Sequence, residues 1–184
     1  MERIKLLVLF LVIFVTFGYS QEKESTKVKW YNIEEAQKLN SQNPKKLIID
    51  VYTDWCGWCV KMDRLTFSNP SIAEYINEKY YAVKFNAETK DSVVFAGNVF
   101  RNKGGNRQPN DLAIALLQGK MSYPSIAYMN EKLELLSTVP GYYTAEQIEP
   151  ILMYFGEEAY KKVTWQDYMT NFKSTLFSKE KASN

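Results

Sequence analysis

Two cysteines, Cys56 and Cys59, stand either side of Gly57-Trp58 and are the only cysteines in a chain of 184 residues. A pair at this spacing can cycle between dithiol and disulfide, form a static bridge, or supply half of a zinc site. A bridge that closes so small a loop removes little entropy from the unfolded chain, so it makes a poor staple. Zinc wants four ligands, and the chain offers no histidine and no third cysteine. Carboxylates or a second copy would have to complete such a site. The missing histidine also removes His-based acid–base catalysis and any Cys–His nucleophile pair. Redox chemistry at the dithiol is the expectation that remains.

The neighbouring elements should place this pair at a strand-to-helix turn. Leu47-Ile48-Ile49-Asp50-Val51-Tyr52 is apolar on both alternating faces, as in a strand buried centrally between layers of helices. Thr53-Asp54-Trp55 makes a short turn into the cysteines. Beyond them, Val60, Met62, Leu65 and Phe67 alternate with Lys61, Asp63 and Arg64, which suits one side of a helix ending near Phe67.

Upstream, Val28 to Tyr31 can form a short strand, and Asn32 with Glu35 reads as a capping box for a helix with Ile33, Ala36 and Leu39 inward. Asn43-Pro44 breaks that helix. Downstream, Asn69-Pro70 opens a helix carrying Ile72, Ala73, Tyr75 and Ile76, followed by a strand at Tyr81 to Phe85. Regularity then weakens over residues 87–110. A helical turn is expected within Ser92 to Phe100, and Arg101 to Pro109 reads as a flexible basic loop. Asn110 caps a helix with Leu112, Ala113, Leu116 and Leu117, ended by Gly119. Strands at Ser125–Met129 and Leu133–Val139, joined by Asn130-Glu131-Lys132, form an antiparallel hairpin. Thr144 and Gln147 cap a helix through Ile148, Ile151, Leu152 and Phe155. Thr164 and Asp167 open a last helix over about 164–177, with Trp165, Tyr168, Met169, Phe172 and Leu176 at helical spacing. The order predicts an α/β fold, a mixed sheet with helices on both faces.

The first twenty residues read as a signal peptide. Met1 to Lys5 is basic, Leu6 to Phe17 is an apolar run, and Gly18-Tyr19-Ser20 offers small residues for cleavage. The run is short of the roughly twenty residues needed to span a bilayer, so no stable membrane insertion is expected after cleavage. Residues 21–27 and 179–184 are expected to be disordered ends of a domain spanning 28–178. The net charge of +2 gives no reason to expect nucleic acid as a partner.

Trp55-Cys56-Gly57-Trp58-Cys59 resembles the Trp-Cys-x-x-Cys site of the thioredoxin superfamily, with Trp58 and Val60 in place of the commoner Pro and Lys. Tyr123-Pro124, just before the hairpin, is similar to that family's cis-proline, and Gly141 falls where a family glycine follows the last strand. Asp50 and Lys84 fall where thioredoxins keep a buried pair. The resemblance runs over about 28–155, broken by the insertion, and its flavour is that of exported thioredoxin-like proteins and the soluble domains of membrane disulfide reductases.

What the resemblance implies is a thioredoxin fold with an insertion at about 87–110 before the cis-proline and an extra C-terminal helix. Cys56, at a helix N-terminus, is the expected nucleophile, because unpaired N–H groups and the helix dipole favour a thiolate. Cys59 resolves the mixed disulfide. Asp50 moves the proton of Cys59, and Lys84 either pairs with Asp50 or is the polar position of a half-exposed strand. Tyr123 and Pro124 would hold an extended client segment as an added strand, and Trp55, Gly57 and Trp58 would border it. The implied activity is that of an exported thiol–disulfide oxidoreductase, periplasmic or secreted, acting on protein disulfides as reductase or isomerase. It would need no cofactor beyond the Cys56–Cys59 pair and no metal, and would be fed by a membrane or soluble disulfide reductase. The rival reading is a non-catalytic module of the same fold that holds peptides through Trp55, Trp58 and the 101–109 loop.

Overall fold

The computed structural model describes residues 26–177. The signal-peptide expectation, most of residues 21–27 and the 179–184 tail therefore fall outside the described residues. The chain starts with β1 (Trp30–Tyr31), then α1 (Ile33–Gln42), whose Asn32 and Glu35 form the reciprocal capping box that their spacing predicts. β2 (Lys46–Tyr52) leads into α2 (Gly57–Met62), which continues as a π turn over Asp63–Phe67. α3 (Pro70–Lys79) begins where Asn69 accepts the Ile72 N–H, and β3 (Tyr80–Asn86) follows. The insertion holds β4 (Val93–Phe95) and β5 (Asn98–Phe100), and α4 (Asp111–Leu116) comes after it. β6 (Ser125–Met129) and β7 (Leu135–Pro140) precede α5 (Ala145–Gly156), a 3-10 turn at Ala159–Lys161, and α6 (Trp165–Asn171).

Five strands form one sheet in the order β1-β3-β2-β6-β7. β1, β3 and β2 run parallel, while β6 is antiparallel to both β2 and β7. Because successive strand residues face opposite sides, β2 feeds two cores. Ile48 joins Met62 and Phe67 from the cysteine helix, Ile72 and Ile76 from α3, and Ile148 and Leu152 from α5. Leu47, Ile49 and Val51 join Ile33 and Ala36 of α1 and Leu112 and Leu116 of α4. The result is a mixed sheet with helices on both faces, as the element order predicts. Among the described residues no helix is long and apolar enough to cross a membrane.

Several details differ from the sequence expectation. The segment expected to make a helical turn within 92–100 is instead the β4–β5 hairpin. Val93 and Phe95 turn inward onto α1 while Val94 faces out, and Ala96-Gly97 make the reversal with φ of 48° and 77°. A two-residue turn with both residues left-handed matches the twist of the flanking strands. Gln37 fastens the hairpin to α1, donating to the Val94 carbonyl and accepting the Ala96 N–H.

Val60 and Leu65 were expected on the inner side of the cysteine helix, but both are exposed. Cys59, Met62, Thr66 and Phe67 form the buried side. The extra C-terminal helix is present but ends at Asn171, where Phe172 turns to extended backbone. Leu176 still packs against the α5 side of the core. Its segment is held by the buried carboxylate of Glu149, which accepts the Thr175 and Leu176 N–H groups. β7 begins at Leu135 because Leu133 sits in the turn at φ 63°.

Candidate active site

The turn after β2 is drawn tight by the Cys56 N–H, which donates to the Thr53 carbonyl at 3.1 Å. Cys56 is then the N-cap of α2. Its Sγ accepts the backbone N–H of Cys59 at 3.1 Å, and its carbonyl accepts the N–H groups of Cys59 and Val60. The two sulfurs are bonded to each other, with the Cα atoms 5.3 Å apart. Both residues are buried, at 5% and 3% exposure. A Cβ built on Gly57 meets nothing within 4 Å, so the space over the first residue of α2 is open.

Asp50 shares the face of Ile48, the face that the cysteine helix covers. It is 1% exposed and stands directly opposite Lys84 in the β2–β3 register. The Lys84 ammonium donates to Asp50 Oδ2 at 2.6 Å and also to Asp63, at the end of α2. The sheet and the cysteine helix are thereby tied through one lysine. Of the two readings open for Lys84 in the sequence, the structure shows the pair with Asp50.

Burial pushes the Asp50 carboxyl up to about 6; Lys84 opposes that rise and Asp63 adds to it. For Lys84 burial works against the charge, yet Asp50 and Asp63 together keep it above its ordinary value. Asp50 Oδ1 is buried and has no hydrogen-bond partner among the described residues, and neither does Thr53 Oγ1.

Around the bridge runs an aromatic rim. Trp55 and Trp58 are 51% and 56% exposed, which is unusual for the largest side chains. Trp55 meets Tyr123 edge-to-face at 5.9 Å, and the Tyr123-Pro124 peptide is cis. The expected set of Trp55, Cys56, Tyr123 and Pro124 is thus brought together from β2 and the start of β6. Pro124 is buried, and its carbonyl accepts the N–H of Gly141. On the other flank Trp58 packs on Tyr142 at 5.3 Å, and the Lys61 ammonium lies 4.6 Å from the Trp58 ring centre.

Four further residues belong to this rim and were absent from the sequence-derived set: Glu88, Arg107, Lys61 and Tyr142. Glu88 accepts the Trp55 indole N–H at 3.1 Å, and the Arg107 guanidinium lies 4.9 Å from the Trp55 ring centre. The loop that carries Arg107, expected to be flexible, is braced from within. The Asn102 side-chain amide donates to the carbonyls of Glu88, Thr89 and Gln108. Tyr142 had a signal in the sequence in its place right after Gly141, and Arg107 lies in the basic 101–109 loop that the rival reading named as a whole.

The description of the thioredoxin-like domain family matches residues 33–156. The chain is 28% identical over 112 residues to the thiol:disulfide interchange protein DsbD of Vibrio vulnificus, a match covering 59% of this chain and 16% of that protein. It therefore spans only a small part of the curated relative. Among solved structures, a thioredoxin-fold protein from Helicobacter pylori superposes with a TM-score of 0.54 at 16% identity, covering 88% of this chain and 91% of that one. A DsbH oxidoreductase superposes with a TM-score of 0.53 at 12% identity, covering 77% and 92%. These two establish the fold alone. With the family match running from the first helix to the end of α5 and enclosing both cysteines, the chain belongs to the thioredoxin-like domain family.

Proposed function

We propose that the protein is an extracytoplasmic thiol–disulfide oxidoreductase acting on protein disulfides through Cys56 and Cys59, as a reductase or isomerase. The observation that carries this reading is the bridge at the first turn of a helix, with the Cys59 N–H already aimed at Cys56 Sγ. In the dithiol form the same N–H stabilises a Cys56 thiolate. The naming of the Vibrio relative as a thiol:disulfide interchange protein supports the same chemistry.

The reaction runs in two displacements. The Cys56 thiolate attacks one sulfur of a client disulfide, whose S–S bond breaks and releases a client thiolate. Cys59 gives its proton to the free oxygen of Asp50, and its thiolate attacks Cys56 Sγ. The second client thiolate leaves, both client sulfurs take up protons, and the protein is left in the disulfide form. Two electrons pass to the client, and its two sulfurs take up one proton that came from Cys59 and one from solvent. Asp50, with its carboxyl at about 6, is largely ionised at neutral pH and able to accept that proton. Lys84 holds it in place. A dithiol of another protein, soluble or in a membrane, restores the reduced form, and the Cys56–Cys59 pair is the only redox group required. The absence of histidine between the cysteines removes a group that stabilises the thiolate in strongly oxidising relatives and favours the reducing direction. The apolar run at Leu6–Phe17 after a basic start supports export.

The direct test is reduction of a protein disulfide such as that of insulin by the reduced protein, followed by thiol release. The reading expects two client thiols per protein oxidised, and turnover when a small dithiol is supplied. Absence of both would refute it.

A further inference from the structure

The insertion at 87–110 reaches the redox site at Trp55 through two side chains, Glu88 and Arg107, and Arg107 has no ion-pair partner among the described residues. Arg107 sits in the left-handed region at φ 53°, in a loop whose shape is fixed by Asn102 and by Lys90, which donates to the Gly105 carbonyl. That loop sets the guanidinium over Trp55, the residue next to the nucleophile. A guanidinium lying over a ring keeps its in-plane N–H donors free, and their fork matches a carboxylate.

Two carboxylates stand on the same flank, but each has its own partner. Asp54 accepts the Asn86 amide and Glu88 accepts the Trp55 indole N–H. Among the described residues Arg107 has no carboxylate within ion-pair distance, and neither has Lys61 over Trp58 on the opposite flank. The bridge is therefore bordered by two exposed tryptophans, each with a cation at its ring that forms no ion pair among the described residues.

We propose that Arg107 is a specificity-determining residue that reads a client carboxylate: the preferred disulfides carry Asp or Glu beside the cysteine that Cys56 attacks. This deepens the oxidoreductase reading and rests on it. Trp55 supplies the apolar contact, and Arg107 discriminates among sequences by a charge-assisted, two-pronged hydrogen bond. Lys61 adds a weaker, less directional pull on the other side.

The test uses three disulfide-cyclised peptides that differ only in the residues beside the bridge: Asp-Glu, Asn-Gln, or Lys-Lys. Their reduction by the full chain is compared as kcat/KM, and their binding to the oxidised protein is read from tryptophan fluorescence. Oxidised protein transfers nothing to an oxidised peptide, so the binding ratio stands whether or not exchange occurs. The acidic peptide is expected to be favoured over the neutral one by about tenfold at low salt, the scale of one charge-assisted pair. That ratio should shrink as salt rises. Arg107→Gln should bring it close to one, and Arg107→Glu should turn the preference toward the lysine peptide. Equal handling of all three peptides by the natural sequence, or a ratio that survives Arg107→Glu, overturns the proposal. So does a parallel loss for all peptides in Arg107→Gln, which would mean that Arg107 only steadies Trp55. If the binding ratio holds while no peptide is reduced, the specificity stands and the catalytic reading fails.

Discussion

Cys56→Ser is expected to lower disulfide reduction by a factor on the order of 10³ or more, and to trap no client. Cys59→Ser should behave in the opposite way, attacking normally and then stalling as a mixed disulfide through Cys56. The asymmetry follows from position. Cys56 caps α2 and its sulfur faces the Cys59 N–H, whereas Cys59 lies within the first turn and is buried toward the core. A serine at 56 keeps the cap but ionises far too weakly to attack. A serine at 59 leaves the first displacement intact and removes only the second. Both variants lose the bridge of the oxidised form, yet so short a loop contributes only about 2 kcal/mol by the chain-entropy relation. A large difference between two equally bridgeless variants is thus a difference of chemistry. Non-reducing electrophoresis of a cell extract exposed to each variant reads it directly. Trapping by both variants or by neither contradicts the assignment.

Asp50→Asn is expected to gain stability relative to the natural protein as pH rises from 4 to 7, and to slow the second displacement. The carboxyl has an ordinary value of 3.8 and is pushed up to about 6 in the folded chain, mainly by burial. Between those two values the folded state binds a proton that the unfolded chain has released. The stability associated with that proton is complete below about 3.8 and is lost as pH rises through about 6. The loss is on the order of 3 kcal/mol, since each pKa unit corresponds to about 1.4 kcal/mol. An asparagine carries no such term. The variant should therefore gain on the natural protein between pH 4 and pH 7, as read by urea denaturation at both values. An equal difference at the two pH values would show that Asp50 does not titrate in this window.

The kinetic side of the same substitution is the mixed-disulfide lifetime. Losing a general base typically costs about 10²-fold or more, so Asp50→Asn should prolong the intermediate by that order while leaving the first attack unaffected. In the natural protein the second step should rise with pH through about 6 as Asp50 ionises, and the variant should lack that limb. Lys84 ties Asp50 to Asp63 at the end of the cysteine helix.

How much of this was legible in the sequence depended on how local the signal was. The central strand, the Asn32–Glu35 and Thr144–Gln147 capping boxes and the Asn69-Pro70 helix start are each specified within a few residues, and the structure has them all. The hairpin at 93–100 was missed because each strand has only three residues, too few for alternation to stand out from noise. The buried face of the cysteine helix was misassigned because its inward residues include Cys59 and Thr66, which hydropathy does not flag, while Val60 and Leu65 point to solvent. The switch from α to π winding at Asp63 further shifts the phase.

The sequence singled out the basic 101–109 loop as a whole but not Arg107 within it, for a different reason. One arginine in a Gly- and Asn-rich loop has no pattern, and its placement depends on the Asn102 amide bonding carbonyls before and after it in the chain. Lys84 had two equal readings until the β2–β3 register put it opposite Asp50. The last helix stopped early because Phe172 leaves the helical backbone even though its spacing would continue the stripe.

The central claim is that the start of α2 activates Cys56, and the measurement that meets it most directly is the titration of that thiol in reduced protein, followed by thiolate absorbance, with Cys59→Ser used to assign the signal. A Cys56 thiol well below the free-cysteine value of about 8.5 is the predicted result. A value at or above 8.5 would contradict the account, because neither the helix N-terminus nor the Cys59 N–H would then be stabilising the thiolate.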